Sequence, residues 1–222
     1  FEQFENLFFS PELDFLIEDL TTNVTASSQL KKQEGSYTDF YFNYGLDYDL
    51  RDSSFNTKNG SFTKFFQQLP VVSENNEISN TIIYTKYNEL IESSEMVGKV
   101  SLYLKAINTV DGSDVRVSKR ANVPYNRLRG FEKGKVGPVD GSDYIGGNYI
   151  STLNLSTNIP GILSTIEILD FKYFIDIGNV WGVDYNSSLD KSKIRSSTGI
   201  GLNVLTPVGP LSFSLAQPIT KA

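Results

Sequence analysis

The feature that most constrains this chain is a strict two-residue alternation sustained over unusually long stretches. Between Asp39 and Asp49, one side carries Phe40, Phe42, Tyr44, Leu46 and Tyr48, and the other carries Asp39, Tyr41, Asn43, Gly45, Asp47 and Asp49. The pattern recurs at Val100, Leu102, Leu104 and Ala106, again from Ile194 to Val204, and again at Leu211, Phe213 and Leu215. A period of two puts successive side chains on opposite faces of an extended strand, so each segment reads as a strand with one apolar and one polar face. The alternation predicts strands near 38–50, 60–69, 77–88, 97–107, 147–157, 165–180, 194–205 and 210–217, with residues 1–9 as the end of another.

Two all-β architectures fit such a series. A soluble sandwich would bury the apolar faces in a dry core. A transmembrane barrel would turn them to lipid and its polar faces to a wet lumen. Gly199, Gly201 and Lys172 fall on the polar side, which suits a lumen. The connections also alternate between short turns and long loops, the plan of an outer-membrane barrel. The chain has no apolar run of about 18 residues, which excludes a transmembrane helix but not a barrel, whose strands need only about 10 residues each.

Composition narrows the chemistry. Among 222 residues there is no Cys and no His, and the net charge is -6. These counts leave no disulfide framework, no Ser-His triad and no zinc site of the usual kind. The acidic balance argues against nucleic acid as a partner. Asp47, Asp49 and Asp52 lack the Gly and terminal Glu of a calcium loop, so no cofactor or metal is expected. The chain opens on Phe1 without a signal peptide and reads as a piece of a longer one.

Two segments stand outside the strand pattern. Ser10-Pro11-Glu12 looks like a helix start, and Leu13, Leu16, Ile17 and Leu20 follow at helical spacing. This predicts a short amphipathic helix inside a loop from Ser10 to Ser36. Residues 108–146 form a connection far longer than usual, and loops of that length are commonly functional. Within the loops, Lys31-Lys32 and Lys119-Arg120 read as solvated charges, with contact to lipopolysaccharide phosphates as the alternative.

The long loop contains Leu128-Arg129-Gly130-Phe131, then Gly134, Gly137-Pro138 and Gly146-Gly147-Asn148. This closely resembles the sixth extracellular loop of the BamA family of outer-membrane insertases, whose hallmark is Val-Arg-Gly-Phe; Leu128 stands for the Val. The resemblance continues through Phe174-Ile175-Asp176-Ile177-Gly178-Asn179-Val180-Trp181, Arg195 to Leu202, and Thr206-Pro207-Val208-Gly209-Pro210-Leu211. It spans about residues 37 to 219.

The resemblance implies an antiparallel transmembrane barrel of sixteen strands, of which residues 1–222 would form roughly the C-terminal half without the last strand. The family's periplasmic POTRA domains would lie elsewhere, and 108–146 would be extracellular. It also implies a non-enzymatic insertase of Gram-negative outer membranes, acting on unfolded outer-membrane protein clients with accessory outer-membrane lipoproteins and outer-membrane lipid. A two-partner secretion pore, the translocation-assembly relative, and the barrel of a membrane-tethered lipase are the rival readings; the N-terminal region of the full gene would separate them.

The loop motif has a physical logic of its own. Arg129 is always ionised and presents five donors in a planar fork, so inside a barrel it needs a partner. Alternation puts Asp170, Lys172, Phe174 and Asp176 on the inner face, which makes Asp176 the natural counter-charge. Gly130 permits a tight turn and Phe131 an apolar anchor. In the family a Glu on the neighbouring strand also meets the Arg. Here the matching position is Asn154, expected to accept a donor from Arg129.

Overall fold

The computed structural model describes residues 2–54, 56–91, 95–160, 169–206 and 209–220. Its strands are β1 (Glu2–Phe4), β2 (Leu7–Leu20), β3 (Gly35–Asp49), β4 (Gly60–Val72), β5 (Glu77–Ile91), β6 (Met96–Thr109), β7 (Val139–Asp140), β8 (Asp143–Tyr144), β9 (Tyr149–Asn158), β10 (Leu169–Trp181), β11 (Arg195–Thr206) and β12 (Gly209–Pro218). All but β7 and β8 join one antiparallel sheet in the order β1-β2-β3-β4-β5-β6-β9-β10-β11-β12. Each strand of this sheet neighbours the next sheet strand along the chain, and β7 and β8 form a small separate hairpin inside the long β6–β9 loop. Among the described residues β1 and β12 stand at opposite edges and do not pair, so the sheet is open.

Register propagates the alternation from strand to strand. Phe42 faces Leu13 and Leu69; Ile82 faces Phe65 and Leu104; Leu153 faces Leu102 and Ile177; Ile200 faces Tyr173 and Leu215. These define a continuous apolar outer face, where Ile200 keeps 51% of its surface exposed and Tyr173 42%. The opposite, inner face holds Asp39, Tyr41, Ser101, Thr152, Phe174, Asp176 and Ser197, all buried. Residues bury there because the β6–β9 loop lies over them. Its Val115, Ala121, Val123, Leu128 and Val136 pack against Ile107, Ile150 and Val180 of the wall. A sandwich would bury the apolar face; here that face is the open one.

The expected helix over Ser10–Leu20 is not formed. That segment belongs to β2, paired with β3 from Leu7↔Tyr48 to Leu20↔Gly35. Pro11, Leu13, Phe15 and Ile17 also alternate, and a strand turns all four to the apolar face, whereas the helical stripe left Phe15 out. Cross-strand pairing decides between the two periods, because Leu13 meets Phe42 and Phe15 meets Phe40. Pro11 lies where β2 has a partner on one side only, a place in a sheet that tolerates a missing N–H. The one described α-helix, α1 (Ser28–Lys31), is a single turn in the β2–β3 loop. The expected strand 165–180 is seen from Leu169 onward, its first four residues lying outside the described set, as do Gly161–Ser164 of the preceding turn and Pro207 and Val208 of the turn before β12.

Candidate functional site

The site is built on one register row of the inner face. Thr85 of β5, Ser101 of β6, Asn154 of β9, Asp176 of β10 and Ser197 of β11 pair in succession across five strands. A row of small and polar side chains leaves a trough in the wall, and the loop segment 124–131 lies along it. The segment begins with a turn closed by the Arg127 N–H donating to the Pro124 carbonyl at 2.9 Å. Leu128 then buries into the wall, where a Cβ on Gly178 would stand 3.5 Å from its Cδ2.

Arg129 meets Asp176 through three donors. Its Nε donates to Oδ2 at 2.7 Å, its Nη2 to Oδ1 at 2.8 Å, and its backbone N–H to Oδ2 at 3.1 Å. This is the bidentate fork that a planar guanidinium makes with a carboxylate, short because both partners are charged. Asp176 is 0% exposed. A buried carboxylate is stabilising only when its lone pairs are filled, and the fourth donor here is Asn154 Nδ2, 2.8 Å from Oδ1.

Asn154 does not take the expected contact from Arg129. Its Nδ2 also donates to the Arg127 carbonyl at 2.7 Å, and its Oδ1 accepts from Arg127 Nη1 at 3.4 Å. The reason is donor chemistry. The fork of Arg129 is used on Asp176, and a neutral amide can donate to that carboxylate where a second carboxylate would repel it. Arg127 Nη1 reaches on to Ser101 Oγ at 2.7 Å, which shares a 2.9 Å hydrogen bond with Thr85. Arg127 thus extends the clamp along the row, a role that sequence reasoning missed because nothing in the motif marks it.

Two glycines make room for this arrangement. The guanidinium of Arg129 stacks on the Phe174 ring, 3.3 Å from its centroid. That ring comes close over Gly199, where a Cβ would come within 2.7 Å of Phe174 Cζ and meet the Leu215 carbonyl. Gly130 has φ +88°, and a Cβ there would stand 3.2 Å from that of Ala216 on β12. Phe131 packs against the loop's apolar cluster. The segment 127–130 therefore touches β9, β10 and the sheet-edge strand β12 at once.

A second anchor lies closer to the loop rim. Arg116 is 1% exposed, pairs with Asp39 of β3, lies 3.7 Å from Glu18 of β2, and stacks on Tyr37 at 4.0 Å. Lys119 reaches Asp39 at 3.4 Å. Arg120, expected as a solvated charge, is buried and paired with Asp184 of the β10–β11 loop. The apolar residues Val115, Ala121 and Val123 pull this stretch onto the wall and take its charges with them. Asp184 also accepts the Val115 N–H at 2.7 Å and Asn148 Nδ2 at 3.0 Å. Burial alone would raise its carboxyl pKa, but these donors and the Arg120 charge more than offset burial and hold it below the usual carboxylate range. The acidic trio read against calcium is likewise engaged: Asp47 with Lys64, Asp49 with Arg51, and Asp52 with the N–H groups of Lys58 and Asn59.

A family model, the Omp85 superfamily domain, matches residues 10–222. The chain belongs to the Omp85 superfamily. A curated relative, the outer membrane protein assembly factor BamA of Neorickettsia risticii (strain Illinois), is 29% identical over 126 residues, covering 55% of this chain and 17% of that protein. The crystal structure of BamA from Haemophilus ducreyi lacking POTRA domains 1-3 superposes with a TM-score of 0.86 at 23% identity, covering 100% of this chain and 49% of that one. This Omp85 chain thus spans about half of that structure and has the fold of a BamA barrel wall. As an Omp85 barrel wall it belongs to the Gram-negative outer membrane, with its apolar outer face toward lipid.

Proposed function

We propose that this chain is the barrel wall of an outer-membrane insertase, which assembles and inserts β-barrel proteins into the bacterial outer membrane without enzymatic chemistry. The observation that carries the reading is the Arg129 clamp on fully buried Asp176, which draws the loop across the inner face toward β12. An open sheet edge in hydrocarbon leaves backbone groups unsatisfied, so β12 needs a partner strand. In this reading the clamp holds loop 108–146, whose rim would be extracellular, as a brace beside that edge. Unfolded outer-membrane clients would be templated by strand addition at the seam where the whole barrel closes. Accessory outer-membrane lipoproteins would act with it as partners.

The test uses the complete protein in proteoliposomes, with the folding of an urea-unfolded client barrel followed by its gel mobility. The wild type should fold the client faster than protein-free liposomes, and Arg129→Ala should lose most of that gain. Wild-type vesicles that conduct ions but leave client folding at the protein-free rate would overturn the reading and favour a secretion pore.

A further inference from the structure

The lipid-facing wall carries a feature that generic membrane contact does not require. Near the rim opposite the long loop, a groove of about 310 Å³ crosses β5, β6, β9 and β10. Its lining includes Gly98, Val100, Leu155 and Tyr173, on the outer face by register, and Leu90, whose side chain lies over Gly98. Gly98 lets the Leu90 side chain lie directly over the β6 backbone, since a Cβ there would come within 3.0 Å of Leu90 Cδ2. Lys86 also lines the groove, points to the same face, is exposed, and forms no ion pair among the described residues. By contrast Lys58, at the same rim, is matched by Glu95 at 3.1 Å.

We propose that this groove is a binding site for a glycerophospholipid with an anionic headgroup, one acyl chain lying in the groove and the headgroup phosphate on Lys86. A client or partner strand is a poor occupant, because β5, β6, β9 and β10 are each hydrogen-bonded on both sides and have no backbone edge to offer. What remains is apolar surface beside the exposed cation of Lys86; Lys99, also in the lining, belongs to the inner face by register and lies over the Tyr87 ring. A lysine on the lipid face is costly toward the bilayer midplane and tolerable near the interface, where its ammonium reaches the headgroup layer. An amphiphile with a negative phosphate satisfies both halves of the site. The proposal requires only the membrane-facing wall and stands whether or not the protein is an insertase.

The experiment measures lipid retention by the complete protein, using native mass spectrometry after mixed micelles containing phosphatidylglycerol and phosphatidylcholine of identical acyl chains. One favourable basic contact corresponds to a preference of about fivefold for phosphatidylglycerol. Lys86→Gln should abolish that preference, while Lys191→Gln in the β10–β11 loop should leave it intact. Gly98→Val, which pushes the Leu90 side chain off its place over Gly98 and into the groove, should lower retention of both lipids. Equal retention of the two lipids by the wild type would overturn the proposal, as would a preference surviving Lys86→Gln. Full displacement of the lipid by soluble glycerol phosphate would also overturn it, since the site would then read phosphate rather than an amphiphile.

Discussion

Two arginines of the same loop anchor it to the same wall, and they do so differently. Arg129 faces one carboxylate with a planar fork, and every acceptor of Asp176 is matched by a named donor. Arg116 sits in a cluster of charges around Asp39, Glu18 and Lys119, and its Nε and Nη1 make no hydrogen bond in the structure. The first is a geometric lock, in which direction matters as much as charge. The second is an electrostatic cushion, in which a cation near Asp39 matters and its shape matters less.

The comparison breaks most visibly at the lock. Arg129→Ala would leave the Asp176 carboxylate buried and short of the two guanidinium donors, and losing one partner of a buried pair costs about 3–5 kcal/mol. The expected outcome in the complete protein is a lower thermal midpoint and protease cleavage within 124–135. Asp176→Asn should do nearly the same, because an amide cannot take the two-pronged fork. If Arg129→Ala leaves both observables at wild-type values, the loop is held by its apolar cluster alone and the lock is ornamental.

The next effect tests the support beneath the lock. Gly199→Ala puts a methyl against Phe174 and the Leu215 carbonyl, so the ring must tilt or β12 must move. Overpacking of this kind costs about 1–3 kcal/mol. The ring carries the Arg129 guanidinium, so loosening of segment 126–131 should accompany the loss of stability, read by hydrogen exchange. A variant that loses stability with no change at 126–131 would separate the ring from the lock.

A paired substitution sharpens the distinction itself. Arg129→Lys removes the fork and should cost most of what Arg129→Ala costs. Arg116→Lys keeps a cation beside Asp39 and gives up nitrogens that bond nothing, so its cost should be about 1 kcal/mol or less. Thermal midpoints of the two lysine variants measured side by side decide it. Equal losses would mean that both anchors read shape, or that neither does.

How much of this was legible in the sequence follows from the same contrast. Strand positions were legible because alternation is local and repeats along Phe40 to Tyr48 and Ile194 to Val204. The partnership of Arg129 with Asp176 followed from a motif plus the parity of one strand. Arg116, Arg120 and Arg127 were not legible, since each finds its partner on an element remote in sequence: Asp39 on β3, Asp184 after β10, Ser101 on β6. Parity showed that Asp39 and Ser101 face inward, but not which loop residue descends onto them. The segment Ser10–Leu20 fitted both periods, and only its pairing partner β3 chose between them. The donor direction at Asn154 was lost for another reason: an amide can give or accept, and the neighbours decide.

The smallest expected effect concerns acid, at the rim where Arg120 meets Asp184. The Asp184 carboxyl titrates below its ordinary range in the folded protein and near about 3.9 when unfolded. Its contribution is therefore fully present above about pH 4 and is lost as pH falls through the lowered folded value. The β10–β11 loop should then release first, since the Val115 N–H, Asn148 and Arg120 all converge on that one carboxylate. Hydrogen exchange of segments 113–121 and 182–190, corrected for intrinsic rates, should show protection at pH 5 and its loss in stronger acid. Arg120→Gln leaves Asp184 buried with less compensation, which raises its folded pKa and moves the loss of protection to higher pH. Protection at 113–121 that is indifferent to both acid and Arg120→Gln would mean that the apolar cluster of Val115, Ala121 and Val123 holds this half of the loop. The charged cushion would then have no part in it.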